Sequence, residues 1–161
     1  MNYKKIVPEI MVDLGEKTIF ENSNESTAKK IVKLHINLES WLGDDLLTNH
    51  PVFIVTENLK KSLDKNIYTG FLFDDMEVTK DIYFKDNYHL NKPLPKFYWM
   101  KINGNKGNDD LYVEDFDLYA SEKFIKYLQG NFTTNNLEIN PERNEFDDFI
   151  DKMIADRKNN K

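Results

Sequence analysis

Apolar and polar positions along this chain change period several times, and each change marks an element. Residues 3–13 read as a first strand, with Pro8 placing it at an edge or a bulge. "KKIVKLHINL" (29–38) alternates, setting Val32, Leu34 and Ile36 on one face. "VFIV" (52–55) is a short apolar run of the kind that a buried strand needs. Thr56 then stands where a helix over 57–66 wants its cap, and Glu57 sits in the first turn. Leu59, Leu63 and Ile67 form the expected inner stripe of that helix. "FLFDDMEVT" (71–79) and "DIYF" (81–84) are further strand candidates, and "NKPLP" (91–95) punctuates the chain.

The second half repeats the grammar. "KFYWMKIN" (96–103) is an aromatic strand, "GNKGNDD" (104–110) a loop and "FDLYA" (116–120) a strand. Ser121-Glu122 restore the cap signal before a helix over 122–130, with Phe124, Ile125 and Leu128 inward. "NLEIN" (136–140) is a short strand. From Pro141 onward, Phe146, Phe149, Ile150, Met153 and Ile154 fall at helical spacing and predict an amphipathic helix over about 142–157.

The two cap junctions lie 65 residues apart. An ungapped alignment of 44–74 with 109–139 gives nine identities in 31 positions, among them Asp44/Asp109, Asp45/Asp110, Glu57/Glu122 and Leu63/Leu128. Upstream, 30–37 matches 96–103 at an offset of 66. These matches point to internal duplication, with units of about 30–79 and 96–140. Neither unit has enough apolar face to stand alone, so both are expected to share one core within a single domain, 1–161. The expected class is α+β, with a mixed or antiparallel sheet built from two similar strand–helix–strand units plus a C-terminal amphipathic helix.

Composition narrows the function classes. The formal charge is 22 − 28 = −6, and 20 of the 22 cations are Lys. An acidic chain with only Arg143 and Arg157 as guanidinium forks lacks the footprint of a nucleic-acid binder. There is no Cys, which excludes disulfides, thiol nucleophiles and Cys-ligated zinc or iron–sulfur sites. The N-terminal stretch has no apolar core of a signal peptide, and no apolar run reaches the ~20 residues of a membrane span. A cytoplasmic location is expected, with no membrane partner, no metal and no cofactor.

Candidate chemistry is sparse. His35, His50 and His89 show no three- or four-residue helical spacing, so a surface or hydrogen-bonded role is expected of each. "GNKG" has the form of a KH loop but follows a strand, whereas that module places it between helices. Asn24-Glu25-Ser26 and Asn131-Phe132-Thr133 match the glycosylation pattern, and with no secretory leader expected they read as chance matches. The remaining signal is a set of acidic doublets. Asp44-Asp45, Asp74-Asp75 and Asp109-Asp110 in predicted turns, with Asp147-Asp148 on the last helix, read either as solubilising positions or as a patch for a basic partner.

"FIVTENLKKSL" and "LYASEKFIKYL…NLEINPE", with support from "WLGDDLL", resemble bacterial immunity-protein families linked to polymorphic toxin systems. The resemblance covers about half the chain. It implies a non-catalytic protein that binds a cognate toxin and neutralises it, by way of Asp44, Asp45, Asp74, Asp75, Asp109 and Asp110 if the acidic-patch reading holds. Several related families carry Cys-x-x-Cys zinc elements, which this chain lacks. The alternative is a small enzyme with a carboxylate/histidine site.

Overall fold

The computed structural model describes residues 1–10, 13–21, 30–87, 93–143 and 145–159. His89, Asn24-Glu25-Ser26 and most of the polar loop before residue 30 lie outside them, as does the start of "NKPLP". The strands are β1 (Tyr3–Val7), β2 (Glu9–Ile10), β3 (Ile19–Phe20), β4 (Ile31–Lys33), β5 (His35–Leu38), β6 (Leu46–Asn49) and β7 (Val52–Thr56). After helix α1 (Glu57–Leu63) come β8 (Phe71–Asp74), β9 (Glu77–Lys80) and α2 (Ile82–Asn87). Then follow β10 (Phe97–Ile102), β11 (Leu111–Glu114), β12 (Asp117–Ser121), α3 (Glu122–Asn131), β13 (Glu138–Ile139) and α4 (Glu145–Asn159). The fold is α+β, with mixed and antiparallel sheets and a C-terminal helix.

Two larger sheets carry the molecule. The first has the order β11-β12-β1-β13, and the second β2-β6-β7-β10-β8. Pro8 has no N–H to give a ladder, and it marks the point where the first strand changes sheet. Tyr3–Val7 pairs with β12 and β13 in the first sheet, while Glu9–Ile10 runs parallel to β6 in the second. One strand is thus shared between both sheets.

The burial of β7 explains its unbroken apolar run. Phe53 and Val55 face a core that includes Leu59 and Leu63 of α1 and Phe124 and Leu128 of α3. Val52 and Ile54 face a second core under β5, with Leu34, Ile36, Phe84 and Trp99. A strand covered on both faces has no polar alternation to show. In β12, by contrast, Leu118 and Ala120 point into the first core while Asp117 and Tyr119 face outward.

The two junctions 65 residues apart have matching geometry. Leu46 pairs with Val55 as Leu111 pairs with Ala120. Thr56 opposes Phe97 on β10, and Ser121 opposes Tyr3 on β1. Glu57 N–H donates to Lys96 O (2.8 Å), and Glu122 N–H to Asn2 O (3.0 Å). The third strand of each unit is therefore supplied from elsewhere: β10 serves the first unit and β1, from the far end of the chain, the second. The 30–37 match to 96–103 finds no counterpart in this pairing, because β4 pairs with β3 and β5 with β9.

Several element boundaries differ from the sequence pattern. α1 ends at Leu63 with Asp64 as its C-cap, so Ile67 lies beyond it and is 87% exposed. Residues 82–87 form a helix, not a strand, because Asp81 Oδ1 accepts the Tyr83 N–H (2.9 Å) and caps it. Residues 43–51, "GDDLLTNHP", read as a connector from Gly43, Asn49 and Pro51, yet they contain β6. α4 forms as expected, but none of its described residues is buried.

Candidate functional site

The acidic doublets separate into two kinds. Asp45 and Asp110 are buried staples. Each carboxylate accepts the hydroxyl of its own cap residue, Thr56 for Asp45 and Ser121 for Asp110, the latter at 2.6 Å. Each second oxygen reaches the other unit: Asp45 Oδ2 accepts Thr133 N–H (2.9 Å), and Asp110 Oδ2 accepts Thr69 N–H (3.1 Å). Asp44 is 1% exposed and accepts the Asn135 and Asn136 amides (3.1 and 2.9 Å). Asp109 is half-buried and accepts Asn105 N–H (2.7 Å). These hydrogen bonds consume Asp44, Asp45 and Asp110 inside the fold. Of the six doublet residues proposed for a partner from sequence, Asp74 and Asp75 are exposed, and they pair with Lys101 (2.5 Å) and Lys96 (3.9 Å).

A different place gathers exposed carboxylates. The outer face of the first sheet carries Lys5, Asp117 and Tyr119, and α4 lies across it without burying any of its own residues. Two adjoining hollows of about 370 and 400 Å³ remain between them. Their floor is apolar, with Val7, Pro8 and Leu118. Their walls hold six carboxylates (Asp115, Asp117, Glu138, Glu142, Asp147 and Asp151) against two cations, Lys5 and Arg143. The difference, 2 − 6 = −4, is most of the chain's net −6. Lys5 Nζ sits between sheet and helix, 3.0 Å from Asp117 and 3.8 Å from Asp147. Arg143 lies on Asp148 (2.9 Å) and Asp151 (2.5 Å), whose hydrogen bonds hold its pKa above the usual guanidinium value.

Phe116 stands at the lip of the groove for a conformational reason. The two-residue hairpin between β11 and β12 has positive φ at both Asp115 (+48°) and Phe116 (+71°). Such turns favour Asn-Gly, and a bulky residue in the left-handed region is strained. The ring is 40% exposed and meets the His50 ring edge-on at 5.6 Å.

Two titratable groups of the groove have shifted pKa values. His50 has its pKa lowered by desolvation, with Asp117 pulling the other way, so it is neutral at neutral pH. Burial first, and then Asp117, raise the pKa of Tyr119, which keeps its proton. Among the described residues no cluster of three or more His, Asp or Glu has the arrangement to hold a metal ion. No family model, no curated protein and no solved structure matches the chain. Among the described residues no helix is long and apolar enough to cross a membrane.

His35 is a structural histidine. Its Nδ1 accepts Lys17 N–H (3.2 Å), which leaves the proton on Nε2 for Thr79 Oγ1 (2.8 Å). Thr79 in turn donates to Asn37 (3.0 Å), and Asn37 to Asp81 (3.1 Å). Sequence reasoning missed the groove because its parts come from residues 5–8, 50, 115–119 and 138–151. The usable signal was local: Asp-Phe where a tight hairpin wants Asn-Gly, and a C-terminal segment rich in both carboxylates and Phe.

Proposed function

We propose that this chain is a non-catalytic binding protein, an immunity protein that neutralises a basic toxin domain by stoichiometric binding. The observation that carries the reading is the groove between the first sheet and α4, apolar in its floor and net −4 in its walls. A basic segment with apolar anchors finds there both desolvation and charge complementarity. The immunity-family resemblance of residues 53–63 and 118–142 supports the same reading. A chain without cysteine suits a reducing compartment such as the cytoplasm.

The test is binding to the product of the adjacent gene, followed by surface kinetics. Because Asp44, Asp45 and Asp110 are internal, the variants belong on the groove. Glu138→Gln with Glu142→Gln should slow association and flatten its salt dependence while leaving dissociation nearly unchanged. Phe116→Gly removes the exposed ring and suits the positive φ, so it should speed dissociation without loss of stability. Binding that ignores all three substitutions would place the partner elsewhere. A second reading, a small enzyme with a carboxylate/histidine site, has His50 beside Asp117 in its favour. Turnover abolished by His50→Gln would establish it.

A further inference from the structure

At the end of the second sheet, where β7 begins and β10 ends, lies a hollow of about 520 Å³. That volume falls within the ~300–1,000 Å³ of clefts that hold small molecules. Directly opposed residues of an antiparallel pair share a face, so Trp99 stands beside Ile54, and Leu72 beside Lys101. Trp99 and Val52 belong to the second core and close the bottom of the hollow. Leu72 (60% exposed) and Val113 (44%) stand at its rim, and Lys30-Ile31 form a further wall at the start of β4. The apolar surface of this rim stays in water in the folded chain, and a guest in the hollow would cover it.

Charge says what kind of guest fits. Among the described residues no carboxylate lines this hollow, and its charged groups are the ammoniums of Lys30 and Lys101, in a chain with 28 acidic residues. Lys101 Nζ lies over the Trp99 ring, 4.3 Å from its centroid, and donates to Asp74 Oδ2 (2.5 Å). An ammonium carries three donors, so Asp74 leaves Lys101 able to serve a second acceptor. Lys30 is exposed and makes no ion pair among the described residues. Two lysines beside an apolar hollow match an anion joined to an apolar body. A nucleic acid needs a longer basic track. A small inorganic anion would leave Leu72 and Val113 uncovered.

We propose that this hollow is a binding site for a small, free anionic amphipath, a carboxylate or sulfonate on a compact apolar body. Lys30 and Lys101 take the anion, and Val52, Leu72 and Val113 take the body. The site shares no charged residue with the groove between the first sheet and α4, so it stands whatever the groove holds.

The probe is 2-naphthoate, with 2-naphthylmethylamine as its cationic counterpart, titrated into the full chain and followed by proton–nitrogen NMR. The chain has two tryptophans, and Trp41 packs on Phe97 outside the hollow, so its indole serves as an internal control. Naphthoate should shift the Trp99 indole and the Leu72 and Lys101 amides saturably, with a Kd of about 1 mM or below for a body of this size, and leave the Trp41 indole in place. The amine should bind at least about fivefold more weakly. Lys30→Met with Lys101→Met keeps the apolar walls and should erase the preference for acid over amine, with an unchanged far-ultraviolet spectrum. Lys30→Met alone, at an exposed position, should reduce that preference. No saturable shift, equal binding of acid and amine, or a preference that survives both substitutions would each overturn the proposal. So would sedimentation of the chain with phosphatidylglycerol vesicles that the two substitutions abolish, because the lysines would then face a membrane.

Discussion

Ser62 Oγ and Tyr127 OH share a hydrogen bond across the contact between α1 and α3, and the two residues stand 65 positions apart, the offset that aligns the two cap junctions. The Asp45–Thr133 and Asp110–Thr69 hydrogen bonds likewise each join one of these chain segments to the other. Asn66 and Asn131 also behave alike, donating to Ser62 O (2.6 Å) and Tyr127 O (2.8 Å) four residues back. Asp44, Asp45 and Asp110 therefore stitch one segment to the other, while Asp109 holds its own loop at Asn105.

Both cap residues should be costly to truncate, and by similar amounts. Thr56 and Ser121 each accept the N–H at the third helical position, from Leu59 (3.4 Å) and Phe124 (3.2 Å), while donating to a buried aspartate. Loss of a cap costs about 1 kcal/mol, and a buried carboxylate left short of a donor adds about 1–3 kcal/mol. Thr56→Ala and Ser121→Ala should each lower stability by roughly 2–4 kcal/mol. Asp110 keeps Lys123 at 3.2 Å, so Ser121→Ala should be the milder of the two. Urea unfolding measures this, and a midpoint near wild type for either variant would remove the staple role.

Leu63 and Leu128 occupy aligned positions and share one core. Each is at least 98% buried, so Leu63→Ala and Leu128→Ala should cost about 2–5 kcal/mol. Because both cavities would open into the same packed cluster, the double variant should depart from additivity. Additive losses within error would mean that the two helices do not sense one another.

Glycines separate into positions where a methyl group has room and positions where it has none. A Cβ on Gly70 would lie 2.1 Å from Leu111 O, and one on Gly104 would lie 2.0 Å from the same oxygen. That backbone is tied by the Leu111 N–H to Thr69 O hydrogen bond (3.1 Å), so it cannot yield cheaply. Gly70 also has φ +100°, which makes its substitution doubly unfavourable. Gly70→Ala and Gly104→Ala should each cost at least ~1–3 kcal/mol. Gly130 sits inside α3 with open space around it, and Gly130→Ala should stabilise by roughly 0.5–1 kcal/mol. Thermal denaturation of the three variants decides the contrast.

The parts of the fold legible in the sequence were those decided by neighbours in the chain. Thr56-Glu57 and Ser121-Glu122 announced their helices because a cap acts within three residues. Leu34 and Ile36 announced a buried face because strand alternation is local, but Val32, read onto the same face, is 56% exposed. What stayed hidden needed distant partners. The aligned aspartates read as surface charge, since nothing near Asp44 or Asp45 in sequence shows that the amides of residues 133–136 will close over them. The pairing of β1 with β12 spans more than a hundred residues, and the change of sheet at Pro8 depends on β6, 38 residues further on. α4 was legible as a helix but not as an uncovered one, because periodicity gives a face and says nothing of what meets it.

Glu9 ties pH to stability. Its carboxylate is buried, accepts the Leu42 N–H at 2.5 Å and the Asp44 N–H at 3.0 Å, and lies close to the buried Asp44. Desolvation is the largest influence and raises its pKa. The two backbone hydrogen bonds oppose this, and the Asp44 charge adds to it. The folded chain therefore holds this proton more tightly than the unfolded chain does. Stability from the group is fully present below the unfolded pKa and is lost as pH rises through the folded one. Glu9→Gln cannot titrate and removes that part of the profile. It also turns an amide NH₂ toward one of the two N–H donors, a cost that is the same at every pH. The comparison must therefore be of slopes and not of absolute stability. Urea midpoints of wild type and Glu9→Gln, taken from acid to neutral pH, should differ by an amount that moves against the wild type as pH rises. A difference that stays constant over the whole range would mean that Glu9 titrates alike in both states and that the Glu9–Asp44 pair carries no pH dependence.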